Sequence, residues 1–182
     1  MKIIRRIIVV LLVLAVAAGL AAWGLLTYIK PQQQLDLAYT ELSLESQLVD
    51  LIRSKKPEVR LSNEEINQLG KKALAKHARV SPDITITGAE FKRTGEDLTA
   101  DVNLLWKNSV PVGAQMTFKL AWTGKELTVT HTGTHIRSFE VPPGLVSLAP
   151  VSISLDSYLP SIVHIKDVRF DPDFVVIGLT LL

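Results

Sequence analysis

Twenty-three consecutive residues without a charge, Ile7 to Ile29, constrain this chain more than any other feature. As a helix the run is about 35 Å long, enough to cross a hydrocarbon core of about 30 Å. Lys2, Arg5 and Arg6 precede it and no acidic residue occurs before Asp36, so the positive-inside rule keeps the N-terminus in the cytoplasm. Trp23 and Tyr28 lie toward the far end, where amphipathic rings prefer the membrane interface, and Lys30-Pro31 closes the helix. A cleaved signal peptide is the competing reading, because Ala15-Val16-Ala17 fits the small-x-small cleavage pattern. Apolar sequence continues for about a dozen residues beyond it, however, whereas a signal peptide turns polar near its cleavage site. The expectation is therefore an uncleaved single-pass anchor over residues 1–30, with Arg5, Arg6, Trp23 and Tyr28 as its membrane-anchoring residues. On either reading, residues 31–182 are extracytoplasmic.

Charge points the same way. Four of the 20 basic residues (Lys2, Arg5, Arg6 and Lys30) flank the apolar run. That leaves 16 against 18 acidic residues from Pro31 onward, a net of −2. The exported part thus lacks the basic footprint a nucleic-acid partner would require. With no cysteine in the chain, disulfides, thiol catalysis, Cys-ligated zinc and a Cys-based lipid anchor are excluded.

Residues 31–58 read as a stem. Leu35, Leu37 and Tyr39 alternate as in a short strand, and Leu44, Leu48, Leu51 and Ile52 form an amphipathic stripe predicting a helix over 43–54. Pro57 separates this from a second helix. There Ser62-Asn63-Glu64-Glu65 is a capping box, with Ser62 as N-cap and Glu65 reaching back. Ile66, Leu69, Ala73, Leu74 and His77 supply the apolar stripe of that helix. Lys71, Lys72 and Lys76 lie near its end, where they complement the helix dipole or could attract anionic headgroups.

From Ile84 the apolar period changes from 3.6 to 2. Ile84 to Phe91 is a strand that Gly88 is expected to bulge. Leu98 to Trp106, Val112 to Trp122 and Leu127 to His135 follow as half-buried strands separated by turn residues. On the last of these Leu127, Val129, His131, Gly133 and His135 oppose a threonine ladder from Thr128 to Thr134. Pro150 and Pro160 forbid one long helix or an interior strand between them, so short irregular or helical pieces are expected there. Asp171-Pro172-Asp173 joins Ile165–Phe170 to Phe174–Leu181 as a final hairpin. The whole reads as an antiparallel meander with one dry and one wet face.

Catalytic and cofactor signatures are missing from this pattern. There is no G-x-S-x-G and no phosphate-cradling glycine loop, and acidic pairs such as Glu96-Asp97 fall in turns. His131 and His135 have a zinc-like spacing, but on a strand four residues span about 13 Å, too far to share one ion. No enzyme activity, metal or cofactor is expected. One feature carries functional content: Trp106, Met116, Phe118, Leu120 and Trp122 gather large aromatic and flexible groups on adjacent strands. Such a stripe is either plain core or the lining of a ligand groove.

The order of elements resembles the YpmS-like family of membrane-anchored extracytoplasmic proteins, itself similar to the tubular lipid-binding fold. The resemblance rests on Val59-Arg60-Leu61-Ser62-Asn63-Glu64-Glu65-Ile66-Asn67-Gln68-Leu69, on Val141-Pro142-Pro143 and on Tyr158-Leu159-Pro160-Ser161-Ile162-Val163, and covers residues 59–182. It implies a groove between helix and sheet suited to an acyl chain. The expected protein is α+β: a transmembrane helix, then a curved antiparallel sheet packed against one or two helices in an extracytoplasmic domain over residues 59–182. Its expected role is non-catalytic binding of a lipid or other amphiphile at the membrane. The alternative is a structural protein that docks a partner, whose identity no sequence feature supplies.

Overall fold

The computed structural model describes residues 2–41, 58–144, 148–159 and 163–181. The helix expected over 43–54 lies outside them. Helix α1 (Lys2–Tyr28) is the apolar run, and its segment Leu11–Tyr28 is nowhere buried against the rest of the chain. By length and composition it can cross a membrane. The remainder is a curved antiparallel sheet with one helix, so the fold is α+β.

Strand β1 (Glu58–Ser62) runs directly into helix α2 (Asn63–Lys76). The capping box forms as expected. The Ser62 hydroxyl accepts from the Glu65 amide at 3.3 Å, and the Glu65 carboxylate accepts from the Ser62 amide at 2.8 Å. Such caps stabilise a helix start by about 1 kcal/mol.

The larger sheet has the order β2 (Arg79–Ser81), β3 (Ile84–Thr94), β4 (Asp97–Trp106), β5 (Val110–Trp122), β6 (Leu127–Ile136) and β7 (Phe139–Glu140). Strand β8 (Val151–Ile153) also pairs with β6. A 3-10 turn at Leu155–Tyr158 follows, giving the short pieces that the prolines require. Strands β9 (Val163–Phe170) and β10 (Phe174–Leu181) form the last hairpin, and β1 pairs with β10 in a separate three-stranded sheet. Arg93, only 2% exposed, ties the two sheets together. Its guanidinium donates to the carbonyls of Gly95, Asp171 and Pro172 at 2.6, 2.9 and 3.4 Å. Burial pushes its pKa below the usual value, and Asp171 and Asp173 oppose that shift.

Two bulges set which side chains share a face. At Ile86/Gly88 the register shifts, so Ile84, Ile86, Ala89 and Phe91 all pair with the even-numbered residues of β4. This is the bulge expected at Gly88, and it brings Phe91 onto the core side. At Thr117/Phe118 a second shift lets Thr132 and Gly133 together oppose Thr117. It overturns the expected common face for the two histidines. His131 pairs with Phe118, whereas His135 pairs with Gln115 on the opposite face, and Thr134 leaves the threonine ladder to lie buried beside His131. A period-2 count along β6 fails because the extra residue shifts the parity by one.

The core sits on the face that α2 covers, here termed the helix face. Ala89, Ala100 and Val102 are its buried centre, with Leu74, Phe91, Ala114, Met116 and Phe118 packed around them.

Candidate functional site

The opposite face of the sheet carries the feature that composition least announces. Gly88, Asn103 and Gly113 stand in one row across β3, β4 and β5. With glycine at both ends and a short amide between, the row is a furrow running perpendicular to the strands. The chain leaving α1 lies in it. The Gly113 amide donates to the Ile29 carbonyl at 2.9 Å, and the Asn103 side-chain amide donates to the Gln33 carbonyl at 2.7 Å. A β-carbon on Gly113 would come within 2.7 Å of Pro31 Cα, and one on Gly88 would overlap the Leu35 carbonyl. Glycine is required at both positions because backbone meets backbone there.

Beyond Gly88 the segment wraps the β3 edge. The Ala89 amide, which like those of Phe91 and Arg93 points away from β4 along the open edge of β3, donates to the Asp36 carbonyl at 3.1 Å. Leu37 then packs against the buried cluster of the helix face. The Thr40 amide reaches Gln68 on α2 at 2.8 Å, while Lys71 and Lys72 bind Asp36 and Glu41 at 3.2 and 3.3 Å. A hydrogen bond from Lys71 holds the Asp36 carboxyl below its usual pKa, with help from the Ala38 amide. Residues 29–41 are thus a strap. The short strand that the Leu35/Leu37/Tyr39 alternation implied does not form, and the segment belongs to no strand of either sheet. Two of the helix lysines are occupied in holding it.

Two open clefts flank the strap on this face. One, of about 310 Å³, is lined by Gln32, Gln33, Asp101, Asn103, Gln115 and Arg137 among others. The other, of about 570 Å³, lies toward Thr87, Leu104 and Pro111. The first has a largely amide and charged lining, whereas the second mixes Lys30 and three glutamines with Pro31, Leu35, Leu104 and Pro111. Neither is lined by Trp106, Met116, Phe118, Leu120 or Trp122.

Those five residues are distributed as follows. Met116 and Phe118 are half-buried on the helix face, Leu120 is buried and Trp122 half-buried on the same side of β5. Trp106 is 45% exposed at the end of β4, with the Lys107 ammonium 5.0 Å above its ring. The stripe is therefore continuous from Met116 to Trp122, and Trp106 stands apart at the tip of the β4–β5 hairpin. His131 Nε2 is 2.8 Å from the Thr134 hydroxyl and its ring lies 5.6 Å from that of Phe118, a packed structural histidine. Among the described residues no group of three or more His, Asp or Glu is placed to hold a metal ion. Glu96 and Asp97 form a turn that binds Lys119 at 3.3 and 3.2 Å. Of the residues expected to anchor the chain, Trp23 is exposed on α1, and Tyr28 bonds the Ser138 hydroxyl at 2.8 Å beneath the Arg137 guanidinium.

No family model, curated protein or solved structure matches this chain, and none identifies it with the YpmS-like or tubular lipid-binding families.

The furrow was missed by sequence reasoning although a signal for it existed. Once the β4–β5 hairpin is centred on Lys107-Asn108, Asn103 and Gly113 fall opposite each other. A strand-interior glycine facing a strand-interior amide marks a close backbone approach.

Proposed function

We propose that this protein is a membrane-anchored, non-catalytic module that binds an amphiphile on the helix face of its sheet. Helix α1 is read as the retained anchor with its N-terminus cytoplasmic, on the basic residues Lys2, Arg5 and Arg6 and the apolar length that follows. The strap fixes where α1 leaves the domain, because Ile29, Pro31 and Leu35 are integral to the domain surface rather than part of a free linker.

The observation that carries the binding reading is an unsealed apolar face. Met116, Phe118, Trp122, Leu127 and Val129 remain half-buried, and no residue of α2 is fully buried. In a finished core such side chains would be closed off from solvent. Large, adaptable groups left accessible on a curved sheet suit an acyl chain of variable length.

Alanine at Met116 or Phe118, in the full chain reconstituted in nanodiscs, tests this. Truncation in a closed core costs about 2–5 kcal/mol. On an accessible face it costs nearer 1 kcal/mol, and any stabilisation of the parent protein by added palmitate should shrink with it. Large losses at both positions, with no palmitate shift in the parent, would leave the face as core and the protein as a scaffold.

A further inference from the structure

Three non-glycine residues with positive φ occur among the described residues: Lys107 (49°), Asn108 (56°) and Arg137 (55°). All three lie in two turns, the β4–β5 tip and the β6–β7 turn. Lysine and arginine have no intrinsic reason to adopt the left-handed region, which glycine and asparagine enter more easily. Outliers confined to two turns call for a local role.

Strand register places both turns at one end of the larger sheet. Trp106 pairs with Val110 and with Ile84, and Ile136 pairs with Phe139. The anchor leaves from that same end, since Tyr28 contacts Arg137 and Ser138 and the Ile29 carbonyl meets Gly113. Each left-handed cation also rides on an aromatic ring, Lys107 over Trp106 at 5.0 Å and Arg137 over Tyr28 at 5.1 Å. Phe139 beside them is 56% exposed. Lys30 adds a third cation at the strap's start, with Asp83 and Glu140 as acidic groups of this end and Asp101 in the cleft that Lys30 and Arg137 line.

We propose that this end of the sheet is a second membrane contact. Trp106 and Phe139 seat in the headgroup layer of the bilayer that α1 crosses, while Lys30, Lys107 and Arg137 meet lipid phosphates. Aromatic rings paired with cations are what the interface selects, apolar body inward and charge outward. A bilayer is the occupant because the chain enters it from this rim: Tyr28, the last helical residue, is itself one of the two aromatic partners. The strap then has a physical purpose, since a free linker would let the domain turn this rim away. The inference rests on α1 being the retained anchor.

The three tryptophans, Trp23, Trp106 and Trp122, separate the two claims. Trp122 lies twelve residues along β5 from Val110, about 40 Å toward the far end. Three single-tryptophan full-length proteins, with phenylalanine at the other two positions, would be reconstituted in phosphatidylcholine–phosphatidylglycerol vesicles with shallowly brominated acyl chains. Circular dichroism would confirm that each is folded. Quenching of Trp23 and Trp106 is expected, and Lys107→Glu with Arg137→Glu should reduce quenching of Trp106 alone, whereas Trp122, on the face proposed to take an acyl chain, reports that reading and not the rim. Quenched Trp23 with unquenched Trp106 would overturn the second contact while leaving the anchor intact. Unquenched Trp23 would overturn the anchor itself. Quenching of Trp106 that the double substitution leaves unchanged would place the domain in the bilayer without a specific rim and would also overturn the proposal.

Discussion

Substituting Gly88 by alanine should release the strap while leaving the sheet paired. The added β-carbon would overlap the Leu35 carbonyl and stand 2.7 Å from the Asp36 nitrogen, and the β3 backbone beneath is fixed on its other side by β4. The strap must therefore lift. Lifting breaks the Ala89–Asp36 and Asn103–Gln33 hydrogen bonds, each contributing about 1 kcal/mol net. It also withdraws part of Leu37 from the buried cluster, for up to about 1 kcal/mol more. The sum, about 2–3 kcal/mol, corresponds to a local opening about 30- to 160-fold more populated. Hydrogen–deuterium exchange reads this at the Ala89 amide, whose acceptor belongs to the strap. Exchange there should accelerate by that factor, with a smaller rise at Gly113. Amides of the β4–β5 ladder should not change. A Gly144→Ala control, where a β-carbon meets nothing within 4 Å, should be neutral within about 0.5 kcal/mol. Unchanged exchange at Ala89 in Gly88→Ala would refute the close packing of strap on furrow.

Replacing Arg93 by alanine removes three donors to the turns at Gly95 and Asp171-Pro172 and empties a buried volume. The expected cost is about 2–4 kcal/mol in denaturant unfolding, and Arg93→Lys should recover less than half, since an ammonium cannot span three carbonyls. An effect below about 0.5 kcal/mol would mean the two sheets are held together by other groups. Replacing Lys71 by methionine should raise the NMR titration midpoint of Asp36 toward the ordinary value of about 3.9. Because the folded carboxyl is held low, its contribution to strap docking is present above that value and lost as pH falls through the folded one. In the parent protein, exchange at Ala89 should accordingly rise on acidification below about pH 4. An unmoved midpoint would show that Lys71 does not hold the carboxylate.

Much of this fold was legible along the chain because its signals are local. The apolar helix α1 follows from length and composition, α2 from Ser62 and Glu65, and β3 to β6 from alternation and turn residues. The Gly88 bulge was legible as well, since glycine in a strand marks either a bulge or a close approach; here it provides both. What escaped was non-local. The bulge at Thr132 has no glycine at its own position, and one extra residue reversed the face of His135 and Thr134. The strap escaped because its partners lie far along the chain: Gln33 meets Asn103, and Thr40 meets Gln68. The lysines of α2 read equally well as dipole complements until Asp36 and Glu41 were placed beside them. For the apolar stripe, the residues Met116 to Trp122 were legible as one face. Trp106 was grouped with them by composition and parity, although its position at the hairpin tip separates it.

The central claim is that an acyl chain occupies the helix face, and a photoactivatable lipid tests it most directly. The full-length protein would be reconstituted with a phospholipid carrying a diazirine near its acyl terminus, irradiated, and its adducts mapped by mass spectrometry. Adducts on α1 mark the bilayer and serve as the internal control. The account predicts additional adducts between Met116 and Trp122, on the side facing α2 and toward the end of β5 remote from the anchor. Labelling confined to α1 and the anchor-side turns would contradict it.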